Sequence, residues 1–115
     1  MDKIERQIFL EKLKDKELLL KVGEQLIKDL NLCGLDGSEL TLDEPVESLR
    51  SLQILIEHCL RTDPEKLRSF LYRVDLKEDE LVQWSHQLND KSLSEVLSKA
   101  VMLRELQKVL HRSNY

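Results

Sequence analysis

Three histidines, two cysteines and two acidic clusters are the residues of this 115-residue chain whose types could do chemistry. Zinc sites take imidazoles and thiols in pairs at short spacing. His58, His86 and His111 each stand alone, and so do Cys33 and Cys59. His58 and Cys59 are neighbours, which on a helix sends their side chains apart. A Cys–His nucleophile would need the fold to bring one of the thiols against a distant imidazole. The apolar neighbours of Cys59 instead mark it as a small buried hydrophobe. Glu78-Asp79-Glu80 and the segment 36–47 concentrate carboxylates. Neither has the alternating oxygens and glycine turn of a calcium loop. There is no glycine-rich phosphate loop and no nucleophile elbow. On these grounds no catalytic, cofactor-binding or metal residue is assigned, and no cofactor or small-molecule ligand is expected.

The remaining candidate is a surface. Lys99, Arg104, Lys108, His111 and Arg112 make the end of the chain basic. Arg104, Lys108 and Arg112 repeat at i, i+4 and i+8, which puts them on one helical face. Together with Tyr72 and Arg73 they are the candidate partner surface. Cations near a helix C-terminus also complement its dipole. The bland reading is therefore a solvated helix end, on which charge reversal would change stability little. The whole chain carries a net charge of −4, with the acidic excess in residues 1–57. Such a balance repels a phosphate backbone on average. The helix pair 64–74 and 78–88 has helix-turn-helix spacing, but its second helix would open with three carboxylates facing phosphate.

Positioning these residues falls to helices. Leucine occurs 25 times, against two Phe, two Tyr and one Trp. Leucine favours helix, while the aromatic and β-branched residues that favour strands are sparse. Leu19, Val22, Leu26 and Leu30 form one stripe, preceded by Ile4, Ile8, Phe9 and Leu13. The polar patch 12–17 allows a bend between the two, so residues 1–15 can leave the bundle. Gly23 within the second stripe suggests close approach by another helix. Gly34 reads as a left-handed helix terminus. The loop 34–44 follows, pinned by Leu35, Leu40 and Leu42. Asp43 or Glu44 precedes Pro45, which begins a helix over 45–61. Its broad apolar face, widened by Ile54 and Leu55, predicts the central helix of the fold. Thr62 or Asp63 caps the next helix, 64–74, opened by Pro64-Glu65, with Leu67, Phe70, Leu71 and Val74 on one side. A fourth is expected over 78–88, with Leu81, Trp84, Ser85 and Leu88 inward. Residues 89–92 break and recap the chain, and the last helix runs over 92–112.

The stretch 66–76 (KLRSFLYRVDL) and the terminal 103–109 (LRELQKV) resemble a set of small uncharacterised bacterial helical proteins. Those pair a turn of the type LYR-hydrophobic-D with a final helix of the type RE-x-QK-x. Lys77 departs from the small capping residue expected there. The resemblance implies a cytoplasmic all-helical protein and supplies no catalytic residue. Two cysteines without paired spacing also fit reduced thiols in the cytoplasm. The charged N-terminus lacks the apolar core of a signal peptide. Apolar runs such as 18–20 and 54–56 are too short to span a bilayer. The expectation is therefore a single all-α domain over 1–115, about five helices in irregular packing. Its expected function is non-enzymatic, as a cytoplasmic protein-interaction or regulatory module. The expected partner is another protein or a second copy of the chain, not a membrane. Nucleic-acid binding through the basic last helix is the alternative.

Overall fold

In a computed structural model the chain is all-α. It describes residues 7, 8, 11–76, 79 and 92–113. Among these, four helices form: α1 (Lys16–Leu32), α2 (Pro45–Thr62), α3 (Pro64–Val74) and α4 (Leu93–Ser113). The helix expected over 78–88 lies outside the described residues, apart from Asp79. So do Lys77, Trp84 and His86. No helix among the described residues is long and apolar enough to cross a membrane.

Local chemistry sets the helix ends. Residues 13–15 turn, at the polar patch where a bend was expected, and Asp15 then caps α1. Its carboxylate accepts from the backbone N–H of Glu17 and Leu18, two of the donors a helix start leaves free. Upstream of that cap Leu13 is fully buried in the core, while Ile8 is half exposed. At the other end Gly34 takes φ +75°. The Leu35 N–H then returns to the Leu30 carbonyl and the Gly34 N–H to the Asn31 carbonyl. This pair of bonds is a Schellman ending. Glu44 is the cap of α2, accepting from Val46 and Glu47 N–H at 3.0 and 2.8 Å. Those two bonds hold its carboxyl below the usual carboxylate range. Asp63 both ends α2 and caps α3, so a single residue joins them. The Ser92 hydroxyl accepts from Glu95 N–H at the start of α4.

The stripes pack as their spacing predicts, with three corrections. Leu19, Val22, Leu26 and Leu30 are buried, as are Leu67, Phe70 and Val74, with Leu71 half-buried. The centre, however, is α4 and not the 45–61 helix. Helix α4 packs against each of the other three, and Val96, Leu97, Ala100, Val101, Met102, Leu106 and Val109 are buried along it. Of α2, only Ser48, Leu52, Ile56 and Cys59 are buried, while Ile54 faces outward. A wide apolar face on α2 thus overstated its burial. The second correction concerns Gly23. A Cβ there would meet the side chain of Leu42 at 3.0 Å, so the loop and not a helix comes close. The loop is pinned as expected, with Leu35, Leu40 and Leu42 packed against the core. The third correction, to the basic end of α4, belongs with the site.

Candidate functional site

Helices α1, α3 and α4 meet around a buried polar cluster. Helix α1 contributes Gln25 and Asp29, one turn apart on the buried side. Helix α4 contributes Glu105, Lys108 and Arg112 at i, i+3 and i+7, again one face. Helix α3 brings Arg73 from its last turn. Asp29 is the hub. Gln25 Nε2 donates to its Oδ1 at 3.1 Å, and Lys108 Nζ donates to its Oδ2 at 3.2 Å. Arg73 Nε stands 3.8 Å from Oδ1. Lys108 also donates to the Arg73 carbonyl at 3.3 Å, which ties α4 to the end of α3. Arg112 donates to Gln25 Oε1 and so closes the cluster on its outer side.

Glu105 is the unusual member. It is 0% exposed, and among the described residues its ionised carboxylate would accept no hydrogen bond. Lys108 Nζ lies 3.1 Å from Oε1, within ion-pairing range but off the angle a hydrogen bond needs. Burial pushes the Glu105 carboxyl up to about 8, and the facing Asp29 adds to the rise against the pull of Lys108. Burial alone would raise Asp29 too. Hydrogen bonding from Glu105, Gln25 and Lys108 outweighs it and holds Asp29 below the usual range. The two carboxyls therefore divide the work: Asp29 is the anion and Glu105 holds the proton. Arg73 and Lys108 both stand against Asp29, whereas Glu105 has Lys108 alone against its burial and the facing Asp29 charge, which is the reason for that division.

The expected surface residues split into three groups. Arg73, Lys108 and Arg112 come together around Asp29. Arg104 stands apart, with its guanidinium 3.0 Å from Asp75 Oδ2. Asp75 holds a left-handed φ of 71° at the end of α3, a conformation Asp tolerates better than most residues. Tyr72 is 87% exposed and opens onto a different groove, of about 390 Å³. That groove is lined by Leu60, Leu67, Leu71 and Leu93, with Arg68 at its rim. The basic end of α4 is thus no simple solvated face. Lys108 is only 17% exposed, and its ammonium sits between two buried carboxylates. Arg104, Lys108, His111 and Arg112 do line a shallow groove of about 480 Å³, but Asp29 and Asp75 neutralise part of its charge.

Neither thiol is poised for attack. Burial pushes both Cys33 and Cys59 up, away from thiolate. His58 and His111 are exposed and on different helices. Among the described residues no three His, Cys, Asp or Glu side chains gather as a metal site would require. Sequence reading missed Gln25, Asp29 and Glu105. Their signal was position: Gln25 and Asp29 fall within the stripe of Val22, Leu26 and Leu30, and Glu105 falls between Val101 and Val109 at four-residue steps. Comparison with protein-family models, curated proteins and solved structures gives no match for the chain.

Proposed function

We propose that the chain is a cytoplasmic, non-enzymatic module that works by binding another protein. Its contact face is the apolar groove between α3 and the start of α4. The observation that carries this reading is Tyr72, 87% exposed beside a groove lined by leucines. Leu93 on the opposite wall is also more than half exposed. Exposed aromatic and aliphatic groups around a concavity are the usual makings of a protein contact, with tyrosine a frequent anchor. The shape suits the apolar side of an amphipathic helix from a partner protein. Arg68 at the rim is well exposed, and it would favour an acidic residue flanking that apolar side. The polar groups that converge elsewhere, around Asp29, are occupied with one another.

The test is a selection of helical peptides against the full chain, with counter-selection against the doubly substituted Tyr72→Ala, Arg68→Glu protein. Both side chains are exposed, so the variant should fold as the parent does. Peptides with apolar residues at i, i+3, i+4 and i+7 and an acidic flank are expected, binding the parent and not the variant. Peptides that bind both equally would refute the groove as the contact face. Salt-sensitive binding of labelled RNA or duplex DNA would replace the reading with nucleic-acid recognition.

A further inference from the structure

We propose that the junction of α1, α3 and α4 is a proton-operated latch, in which a single proton held on Glu105 against Asp29 keeps the last two turns of α4 seated. Opening hydrates both carboxyls and releases that proton to solvent. The geometry supplies three parts. Glu105 is fully buried and its ionised carboxylate accepts no hydrogen bond among the described residues, so in the closed state only the Lys108 ammonium, shared with Asp29, stands in for water. The groups facing it are Asp29 from α1 and Lys108 on its own helix; behind Asp29 stand Gln25 on α1 and Arg73 from α3, and Arg112 on α4 donates to Gln25. The buried α2 side chains are Ser48, Leu52, Ile56 and Cys59, and burial keeps that thiol neutral. The Cys33 thiol near Arg73 and Asp29 is likewise pushed up. The third part is anchoring. Upstream of Glu105 five apolar side chains of α4, from Val96 to Met102, are buried, whereas beyond it only Leu106 and Val109 are. Freeing the last two turns therefore exposes less apolar surface than unfolding the helix.

The direction follows from the carboxyl's two environments. Exposed in the open form, Glu105 is an ordinary acid near 4.5, and closed it titrates at about 8. Between those values the open form has lost a proton that the closed form keeps, so opening grows about tenfold per pH unit. Above about 8 the dependence ends.

Native-state hydrogen exchange on the full chain tests this, read at pH 5.5, 6.5 and 7.5 and corrected for intrinsic exchange. Amides of residues 105–112 should open about tenfold more per pH unit, while those of 96–102 stay better protected throughout. In Glu105→Gln, which cannot titrate, the slope should vanish. A carbon-13 carboxyl titration of the unsubstituted chain should find one glutamate near pH 8 that the variant lacks. Exchange of 105–112 in step with 96–102 would overturn the latch and leave only a global effect on stability. Glutamates that all titrate in the ordinary range, or a slope that survives in Glu105→Gln, would overturn it as well. The titration and exchange of the parent decide the matter even if the variant fails to fold.

Discussion

Replacing Glu105 by leucine should stabilise the fold at neutral pH, and the gain should itself depend on pH. The parent bears two penalties at this position. A buried carboxyl that accepts no hydrogen bond costs about 1–3 kcal/mol. Keeping it protonated adds a second, which grows as the solvent draws the proton from the unfolded chain. With a folded value of about 8 against 4.5 unfolded, this second penalty is on the order of 1 kcal/mol at pH 5 and about 3 kcal/mol at pH 7. The sign is that of a raised group. Stability is fully present below the unfolded value and is lost as pH rises toward the folded one. Leucine removes both penalties and leaves Asp29 as the one carboxylate beside Lys108, at an Nζ–Oδ2 distance of 3.2 Å. Against this stand the lost Glu105–Lys108 contact and an imperfect fit in a packed core, together about 1–3 kcal/mol.

The advantage of Glu105→Leu over the parent should widen by about 2–3 kcal/mol between pH 5 and pH 7. Asp36 and Glu44 are held below their usual range, so they titrate under pH 5 in both proteins and cancel in the comparison. Urea unfolding followed by far-ultraviolet circular dichroism measures this directly. At an ordinary slope for a small domain, the midpoint difference should widen by about 1–2 M urea. A variant less stable than the parent at pH 7 would refute the charge argument. So would a midpoint difference that is the same at both pH values.

Other substitutions test the surroundings. Lys108→Met leaves Asp29 without its closest cation in a buried site, and should cost about 3–5 kcal/mol by urea titration at pH 7. Reversing Arg104, Lys108 and Arg112 together to Glu should therefore abolish the folded circular dichroism signal, contrary to what a solvated helix end would tolerate. Phe70→Ala empties a fully buried site on α3 and should cost about 3–5 kcal/mol in chemical denaturation. Gly34→Ala forces a side chain onto a φ of +75° at the end of α1 and should cost about 1 kcal/mol, seen as a lower thermal midpoint.

Much of this fold was legible in the sequence because its signals are local. Pro45 and Pro64 mark helix starts, Gly34 marks an end, and a four-member stripe such as Leu19 to Leu30 has one inward side. What the stripes could not say is which helix the others surround. Helix α2 has apolar residues around most of its circumference, yet Ile54 and Val46 are exposed. Burial is decided by how much of a helix its neighbours cover, and α4 has the most extensive contacts, with α1 and α2. Its apolar positions are interrupted by Ser94, Ser98 and Glu105, which lowers its apparent apolarity. All three are buried all the same.

The same interruption hid the site. A glutamate within an apolar stripe reads as noise, because a helix tolerates one exposed charge almost anywhere. Only a partner gives it meaning, and the partner is on another helix. Asp29 sits 76 positions before Glu105, and no short-range pattern links them. What the sequence does contain is a matched defect. Asp29 and Gln25 interrupt the inward stripe of α1 by one turn, and Glu105 and Lys108 interrupt that of α4 by nearly one turn. Unpartnered, either interruption would be expensive in a core. Docked in register, they satisfy most of each other's charge and fix how α4 slides against α1, since a shift by one turn would bury both unpaired. The incomplete satisfaction of Glu105 is then the informative part. A cluster built for stability alone would be better served by leucine there, which is why the pH-dependent gain from Glu105→Leu separates a residue kept for packing from one kept for its proton.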